Sequence, residues 1–591
     1  MGKYLSLCIL LVVFTATTAQ TPEILWQLNV GGDDWDELRS MEETADGGVI
    51  MGGFSYSGIS GDKTEDKMGA VDFWIIKVNS SGAIEWQQTI GGDDADQCYF
   101  VQQTSDLGYI CGGWSRSGVS YDKTVASFGE RDCWLLKLDT DGEIVWQQAY
   151  GGDQDDYLFA FDNTADGGYV LGCFSASGIS GNKTEPNYGY NDYWVIKTDS
   201  IGNIEWQNTI EGYGDDRLHG IRQTADGGYV MGGTSDSPMG GDKSEDVFGE
   251  EDYWVIKLDT TGQIEWENNI GGVGEDEQFS IIQTQDGGYF LGGFSTSPVS
   301  GDKTEDAIGV QDFWTVKLSA DGEIEWQNTI GGDSGDRLEY VLQNQSSKYF
   351  LGGASLSGIS GDKESTSFGF WDFWAIQLNE SGEIEWQLAI GGDGDDVTRG
   401  INQTSDGGTV IGGQSSSGIS GNKTVPNQGG YDFYLVKLGC NNGLYRDLDG
   451  DGYGDPEQPM VSCEWSYGLA YNNTDCDDQN NFVNPGMIEV ANGIDDNCNG
   501  IIDDLPSALS DIPQFVQVYP NPFGTYVQVI SENISEPLEY VSITDLSGKV
   551  VLQQAAYGQL TWLETAHIPT GIYVLQWISA HHENKVVLIR Y

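Results

Sequence analysis

Seven tryptophans, Trp26, Trp86, Trp146, Trp206, Trp266, Trp326 and Trp386, stand sixty residues apart. The text around them repeats as well: IEWQQTIGGD, IEWQNTIEGY, IEWQLAIGGD. A fixed period of this length means one supersecondary unit copied along the chain. Each copy runs through a QTxDGGYVxGG segment, a long SGISGDKTED loop, a DFWxIKL segment and an xxGxIEW segment. Four strands per copy are expected, for one copy near 97–104, 108–116, 131–139 and 143–150. Turns such as Ala165-Asp166-Gly167-Gly168 and Asp259-Thr260-Thr261-Gly262 join them in pairs, with Gly supplying positive φ.

Four antiparallel strands repeated seven times read as a seven-bladed β-propeller. The last copy ends at Phe433-Tyr434-Leu435-Val436-Lys437-Leu438 without a fourth strand, and an extra strand, 23–30, precedes the first copy. If that early strand completes the last blade, the ring closes with no free sheet edge. An open solenoid would need caps instead. The KLDTTGQIEW pattern is similar to quinoprotein propeller repeats, in which a Gly and a Trp dock neighbouring blades; nothing marks a quinone site.

Composition narrows the function. The 591 residues carry 92 Asp and Glu against 27 Lys and Arg, a formal net charge of −65. A surface this acidic gains nothing from a phosphate backbone, so nucleic acid is excluded as a partner. The aromatic content of 12% argues for a packed core and against disorder. Residues 1–19 read as a secretory signal: Lys3, the apolar run Leu5–Phe14, then Thr17-Thr18-Ala19 before a cut at Gln20. A retained anchor is the alternative. No other stretch is apolar and long enough to span a bilayer. Removing Cys8 leaves eight cysteines. Cys440, Cys463, Cys476 and Cys498 are expected to pair among themselves, while Cys98, Cys111, Cys133 and Cys173 are either disulfides or small buried residues.

Comparing the copies separates scaffold from site. Asp36 and its six equivalents, Asp72 and its six, and Lys63 and its six never change. A catalytic site needs one copy of a group, so sevenfold identity points to Asp side chains accepting loop N–H groups, with Lys offsetting charge. A ring of cation-binding carboxylates is the functional alternative. Phe128, Tyr188, Phe248 and Phe368 share one repeated position and are expected to pin each long loop onto its own blade. The long loops and the GGDD loops should share one face, acidic and attractive to cations. Variable aromatics fall there: Trp35, Tyr190, Tyr213, Phe370, Trp371 and Tyr431. They suit stacking on sugars or anchoring a protein partner; loop packing is the plainer reading. The four histidines form no metal cluster, and no nucleophile motif or phosphate loop appears. Blade six departs from the rest at Asn344-Gln345-Ser346-Ser347-Lys348, on the tight-turn face.

Residues 440–504 break the period. Asp447, Asp449, Asp451, Tyr453 and Asp455 place oxygen ligands at alternate positions around Gly452, a spacing that suits Ca²⁺. The segment starts like an EF-hand loop but has Gln458 where the bidentate Glu would stand; it resembles the calcium loops of thrombospondin type 3 repeats. Asp475-Cys476-Asp477-Asp478, then NPGMIEVANGIDDNCNGIIDD, resembles a metal-binding motif family of secreted bacterial proteins. The family's usual Cys before the Gly-Ile-Asp run is here Ala491 or Asn492. The resemblance implies ligands among Asp475, Asp477, Asp478, Glu489, Asp495, Asn497, Asn499 and Asp503. A solvated acidic linker is the bland alternative.

Residues 505–515 read as a linker. Residues 516–591 alternate apolar and polar residues in short runs, the pattern of a small Ig-like β-sandwich. Tyr519-Pro520-Asn521-Pro522, Gly548-Lys549, Gly571 and Tyr573 resemble the type IX secretion C-terminal sorting domain. That resemblance implies export through the type IX machinery of a Gram-negative bacterium, to the outer-membrane surface or the medium.

The expectation is an all-β chain: signal 1–19, propeller 20–439, acidic module 440–504, sorting domain 516–591. It is an exported monomer that binds glycan or protein and is stabilised by Ca²⁺. The rivals are an extracellular polysaccharide lyase or hydrolase and a purely structural surface component.

Overall fold

The structure, a computed structural model, describes residues 20–440, 443–463, 468–487 and 492–502. In the C-terminal segment it describes 516–519, 526–531, 538–545, 549–558, 560–565, 567–569, 571–579 and 583–590. The expected signal 1–19 and linker 505–515 lie outside these residues, as do Glu489, Asp503, Pro520, Asn521, Pro522 and Gly548.

Seven four-stranded antiparallel sheets follow the sixty-residue period. In the second blade the strands are Asp96–Gln103, Tyr109–Ser115, Asp132–Leu138 and Ile144–Tyr150. In the seventh sheet Glu23–Val30 pairs antiparallel with Asp432–Gly439, so the chain's first strand completes its last blade. First strands of successive blades touch around a closed ring, with Asp36–Glu43 meeting Asp396–Gln403. They line the central channel.

The third strand of each blade, such as Asp132–Leu138, is buried along its whole length. Its rings stack from blade to blade: Phe73–Trp134 at 5.1 Å, Tyr193–Trp254 at 5.0 Å, Phe313–Trp374 at 5.0 Å. Phe433–Trp74, at 5.1 Å, carries the stack across the closure. Such pairs add about 0.5–1.5 kcal/mol each beyond their burial.

The invariant residues bind loops. Asp36 Oδ2 accepts the Gly32 N–H at 2.6 Å and the Ser57 hydroxyl at 3.0 Å. Asp72 Oδ2 accepts Met68 N–H at 2.6 Å and Gly69 N–H at 3.2 Å. Lys63 is buried over the Trp74 ring, 5.0 Å from its centroid, and its ammonium donates to Thr89. The repeated Phe128 position differs from expectation. A Cβ on Gly181 would lie 3.0 Å from the Phe128 ring, and one on Gly421 2.7 Å from Phe368. Phe128, Phe248 and Phe368 therefore each lie against a glycine in the long loop of the next blade.

Compact packing divides the chain at Pro485/Gly486, inside the acidic module. The first part of the module joins the propeller's unit: Val461 N–H donates to Asp406 O at 2.9 Å and Cys440 N–H to Val461 O at 2.8 Å. Cys440 and Cys463 form a disulfide, and Cys476 and Cys498 are also disulfide-bonded. Cys98, Cys111, Cys133 and Cys173 are buried free thiols. In the second unit, sheets of three and four strands surround Val527, Val541, Ile543, Leu563, Ile568, Tyr573 and Leu575.

Candidate metal centre and ligand face

The loop 447–453 folds around its own carboxylates. Asp447 Oδ1 accepts Gly450 N–H at 2.8 Å, and Oδ2 accepts Gly452 N–H at 3.0 Å. Asp451 Oδ1 accepts Tyr453 N–H at 2.8 Å. Gly450 and Gly452 have φ of 77° and 90°, a conformation that side chains with a Cβ rarely adopt. The Asp475–Asp478 segment closes over this loop: Leu448 N–H donates to Asp478 Oδ1 at 2.9 Å, and Asn484 Nδ2 to Asp451 Oδ2 at 2.5 Å.

Two overlapping carboxylate triads result, Asp447–Asp449–Asp478 and Asp449–Asp451–Asp475, with oxygens within 4.8 Å of one another. Asp447, Asp475 and Asp478 are buried. Asp449 Oδ2, Asp475 Oδ2 and Asp478 Oδ2 are buried with no hydrogen-bond donor. Burial, then the neighbouring carboxylates, pushes Asp449 and Asp475 up to about 6. Carboxylates packed this way repel one another unless protonated or bridged by a cation. Oxygen-only donors on a tight loop fit a hard divalent ion.

Asp455 does not join the cluster. Its carboxylate accepts Glu457 N–H at 2.8 Å and Gln458 Nε2 at 2.6 Å. Gln458, at the position of an EF-hand's bidentate Glu, therefore hydrogen-bonds Asp455. Tyr453 and Asp477 also stand outside the triads. Asp495 accepts Asn499 N–H at 3.1 Å and Gly500 N–H at 2.7 Å, while Asn497 Oδ1 accepts Asn499 N–H at 3.1 Å. That loop belongs to the second unit.

On the long-loop face, Trp35 and Tyr431 meet edge to face at 5.2 Å. Tyr431 donates its hydroxyl to Asp395 Oδ2 at 2.9 Å, and Trp371 N–H reaches Asp395 Oδ1 at 3.4 Å. Asp395 is thus met by the Tyr431 hydroxyl of blade seven and the Trp371 backbone N–H of blade six, while Trp35 of blade one packs on Tyr431. Tyr190, Tyr213 and Phe370 stand exposed on the same face, at 79%, 58% and 67%.

Blade six carries a signal that turn chemistry alone did not reveal. Six blades pair a buried Lys with a turn Asp, as in Lys77–Asp46 at 3.0 Å and Lys437–Asp406 at 2.7 Å. Blade six has Gln377 and Ser346 instead, and Trp386 Nε1 donates to Gln377 at 2.8 Å. These residues border a cavity of about 680 Å³ shared with Glu43, Gln403, Arg446 and Asp447. Comparing both positions at once across the copies would have shown the paired replacement.

In the sorting segment, Tyr573 is buried and donates its hydroxyl to Pro569 O at 2.8 Å. Tyr519 ends the strand Val516–Tyr519, Gly571 begins Gly571–Ser579, and Lys549 lies exposed before Val550–Gly558.

Two family models match parts of the chain. Residues 475–504 match the model described as "Putative metal-binding motif". Residues 517–589 match the secretion system C-terminal sorting domain. The chain is thus an all-β propeller protein bearing a metal-binding motif and a type IX sorting domain. That domain marks it as a secreted or cell-surface protein that engages the type IX secretion system. No curated protein matches the chain. Among solved structures it is similar to Sqt1 from Chaetomium thermophilum, at 12% identity over 70% of this chain and 99% of that one, TM-score 0.35. It is also similar to PorZ, a surface component of the type IX secretion system of Porphyromonas gingivalis, at 10% identity and TM-score 0.34. That match covers 95% of this chain and 59% of PorZ. Kuenenia stuttgartiensis hydrazine synthase matches at 8% identity over 64% of this chain and 93% of that one, TM-score 0.39. Among the described residues no helix is long and apolar enough to cross a membrane.

Proposed function

We propose that the protein is an exported binding protein. Its long-loop face takes a glycan or protein ligand, and Ca²⁺ orders its acidic module. The observation that carries the binding reading is the cluster in which Trp35 packs on Tyr431 while the Tyr431 hydroxyl and the Trp371 backbone N–H meet Asp395, where near-identical blades differ. Half-exposed rings beside a fixed carboxylate suit stacking and hydrogen bonding together. For calcium, the support is the buried, donor-free oxygens of Asp449, Asp475 and Asp478 beside Asp447 and Asp451. Asp495, Asn497 and Asn499, with Glu489 and Asp503, form the candidate second loop. The 20–439 propeller, the 440–504 module and the 516–591 sorting segment are read as the chain's working parts.

A glycan array combined with a pull-down from cell-surface material tests the binding reading. Trp35→Ala and Trp371→Ala should each lower capture by about tenfold, the scale of one lost aromatic anchor. A full-length protein that captures nothing in either format overturns it.

A further inference from the structure

One blade junction is built differently from the other six. At the second position of the third strand, six blades carry Phe or Tyr, as at Phe73 and Tyr193. The second strand of the following blade then has glycine at the facing position, as at Gly113 and Gly233. A Cβ on Gly53 would lie 2.9 Å from the Phe433 ring, and one on Gly233 or Gly293 would lie 2.8 or 2.6 Å from the hydroxyl of Tyr193 or Tyr253. Ring and side chain therefore exclude each other across these junctions.

Between blades two and three both positions change together: Cys133 replaces the ring and Cys173 the glycine. The change interrupts the aromatic stack. Third-strand rings of neighbouring blades meet at the other six junctions, with centroids 4.8 to 5.4 Å apart. Cys133 offers no ring to Trp194, and a pair of sulfurs stands there instead. Cys133 Sγ and Cys173 Sγ lie 3.4 Å apart, and neither residue is exposed to solvent. Both belong to the core between blades two and three, whereas Cys98 and Cys111 pack in the core between blades one and two.

A covalent S–S bond needs about 2.05 Å, so two buried thiols already in contact need only a small approach. Elsewhere the same chain carries disulfides, at Cys440–Cys463 and at Cys476 and Cys498. Those bonds require a compartment that supplies a disulfide-bearing oxidant. We infer that the exported protein joins Cys133 to Cys173 in a disulfide that ties blade two to blade three, where the aromatic stack is missing.

The bond forms by two exchanges. One of the two thiolates attacks the oxidant's disulfide, which makes a mixed disulfide and releases one oxidant thiol. The other thiolate then attacks the cysteine sulfur of that mixed disulfide and displaces the second oxidant thiol. The two cysteines give up two electrons and two protons, and the oxidant's disulfide becomes a dithiol. Burial in the packed core pushes the Cys133 thiol up and closes it to reagents. The exchange therefore belongs to the stage before blades two and three pack, and packing then shields the bond from reductants. The two residues stand forty apart, so the link also restricts the unfolded chain.

The test uses full-length protein recovered from the surface or medium of the bacterium that exports it. The protein is unfolded with an alkylating reagent and no reductant, then digested and mapped by mass spectrometry. The peptides carrying Cys133 and Cys173 should appear joined, two hydrogens lighter than the free thiols, and should separate when reductant is added. In Cys133→Ser the joined species should vanish and Cys173 should take the label. Alkylation of both thiols in the parent overturns the inference, and so does a link from either one to Cys98, Cys111 or a cysteine of the acidic module.

Discussion

A Cβ on Gly82, in the first blade, would lie 3.7 Å from the ring of Trp26, which belongs by pairing to the seventh. Trp26 stands opposite Lys437, the register that Trp86 and Lys77 keep within the first blade. The same contact recurs at Gly142–Trp86 and Gly262–Trp206. The closure therefore reproduces an ordinary blade junction, made by chain ends some four hundred residues apart.

Trp26 is partly buried against the core at the closure, so Trp26→Ala should cost about 1.5–3 kcal/mol. Gly82 has φ of 81°, a conformation that side chains with a Cβ rarely adopt, so Gly82→Val should also destabilise. Chemical denaturation of the two variants measures both. Near-neutral effects would mean the early strand does not hold the ring shut.

Leu107, Tyr121 and Ser347 have φ of 68°, 45° and 59°, at positions where most other blades have glycine. A left-handed conformation costs a non-glycine residue about 1–2 kcal/mol, partly offset by the greater freedom of glycine in the unfolded chain. Leu107→Gly, Tyr121→Gly and Ser347→Gly should each stabilise the protein by about 0.5–1 kcal/mol. Denaturant midpoints will show the gain, and a loss in all three would contradict the strain argument.

Burial pushes Asp72, Asp156, Asp252 and Asp432 up to about 6, and Asp216 to about 7. Their folded values exceed the unfolded 3.8, so the folded state binds protons more tightly. Stability should therefore rise as pH falls from 7.5 toward 5. At Asp46 and Asp166, burial acts upward, but Thr hydroxyls, turn N–H groups and Lys77 or Lys197 outweigh it and hold both at about 2. That contribution is present above about pH 4 and is lost below it. Melting temperature measured in chelator should peak near pH 5, and Asp216→Asn should flatten the rise. A steady fall from pH 7.5 downward would contradict this assignment.

The sixty-residue period made the blades, their strand bounds and the closure legible, because Trp26 and its equivalents sit in register with one repeated Lys. The bulge at Arg39, where pairing shifts between Leu38 and Ser40, was not legible, since it arises from pairing between two strands and leaves no mark on either alone. Asp455 has a ligand's spacing and stands outside both triads, where its oxygens accept from Glu457 N–H and Gln458 Nε2. Phe128 looked local because its partner, Gly181, lies one blade away. Asp478 was legible as a ligand type, while its meeting with Asp447 and Asp449 required the fold.

Calorimetric titration of Ca²⁺ into the chelator-treated full-length protein, paired with a melting curve, tests the calcium-ordered account most directly. It should show saturable binding with a dissociation constant on the order of 10⁻⁴–10⁻³ M or tighter. The melting temperature of the parent should rise with added Ca²⁺, and Asp475→Asn with Asp478→Asn should lose most of the heat. No binding heat and no thermal shift at about 10 mM Ca²⁺, well above that range, would contradict it.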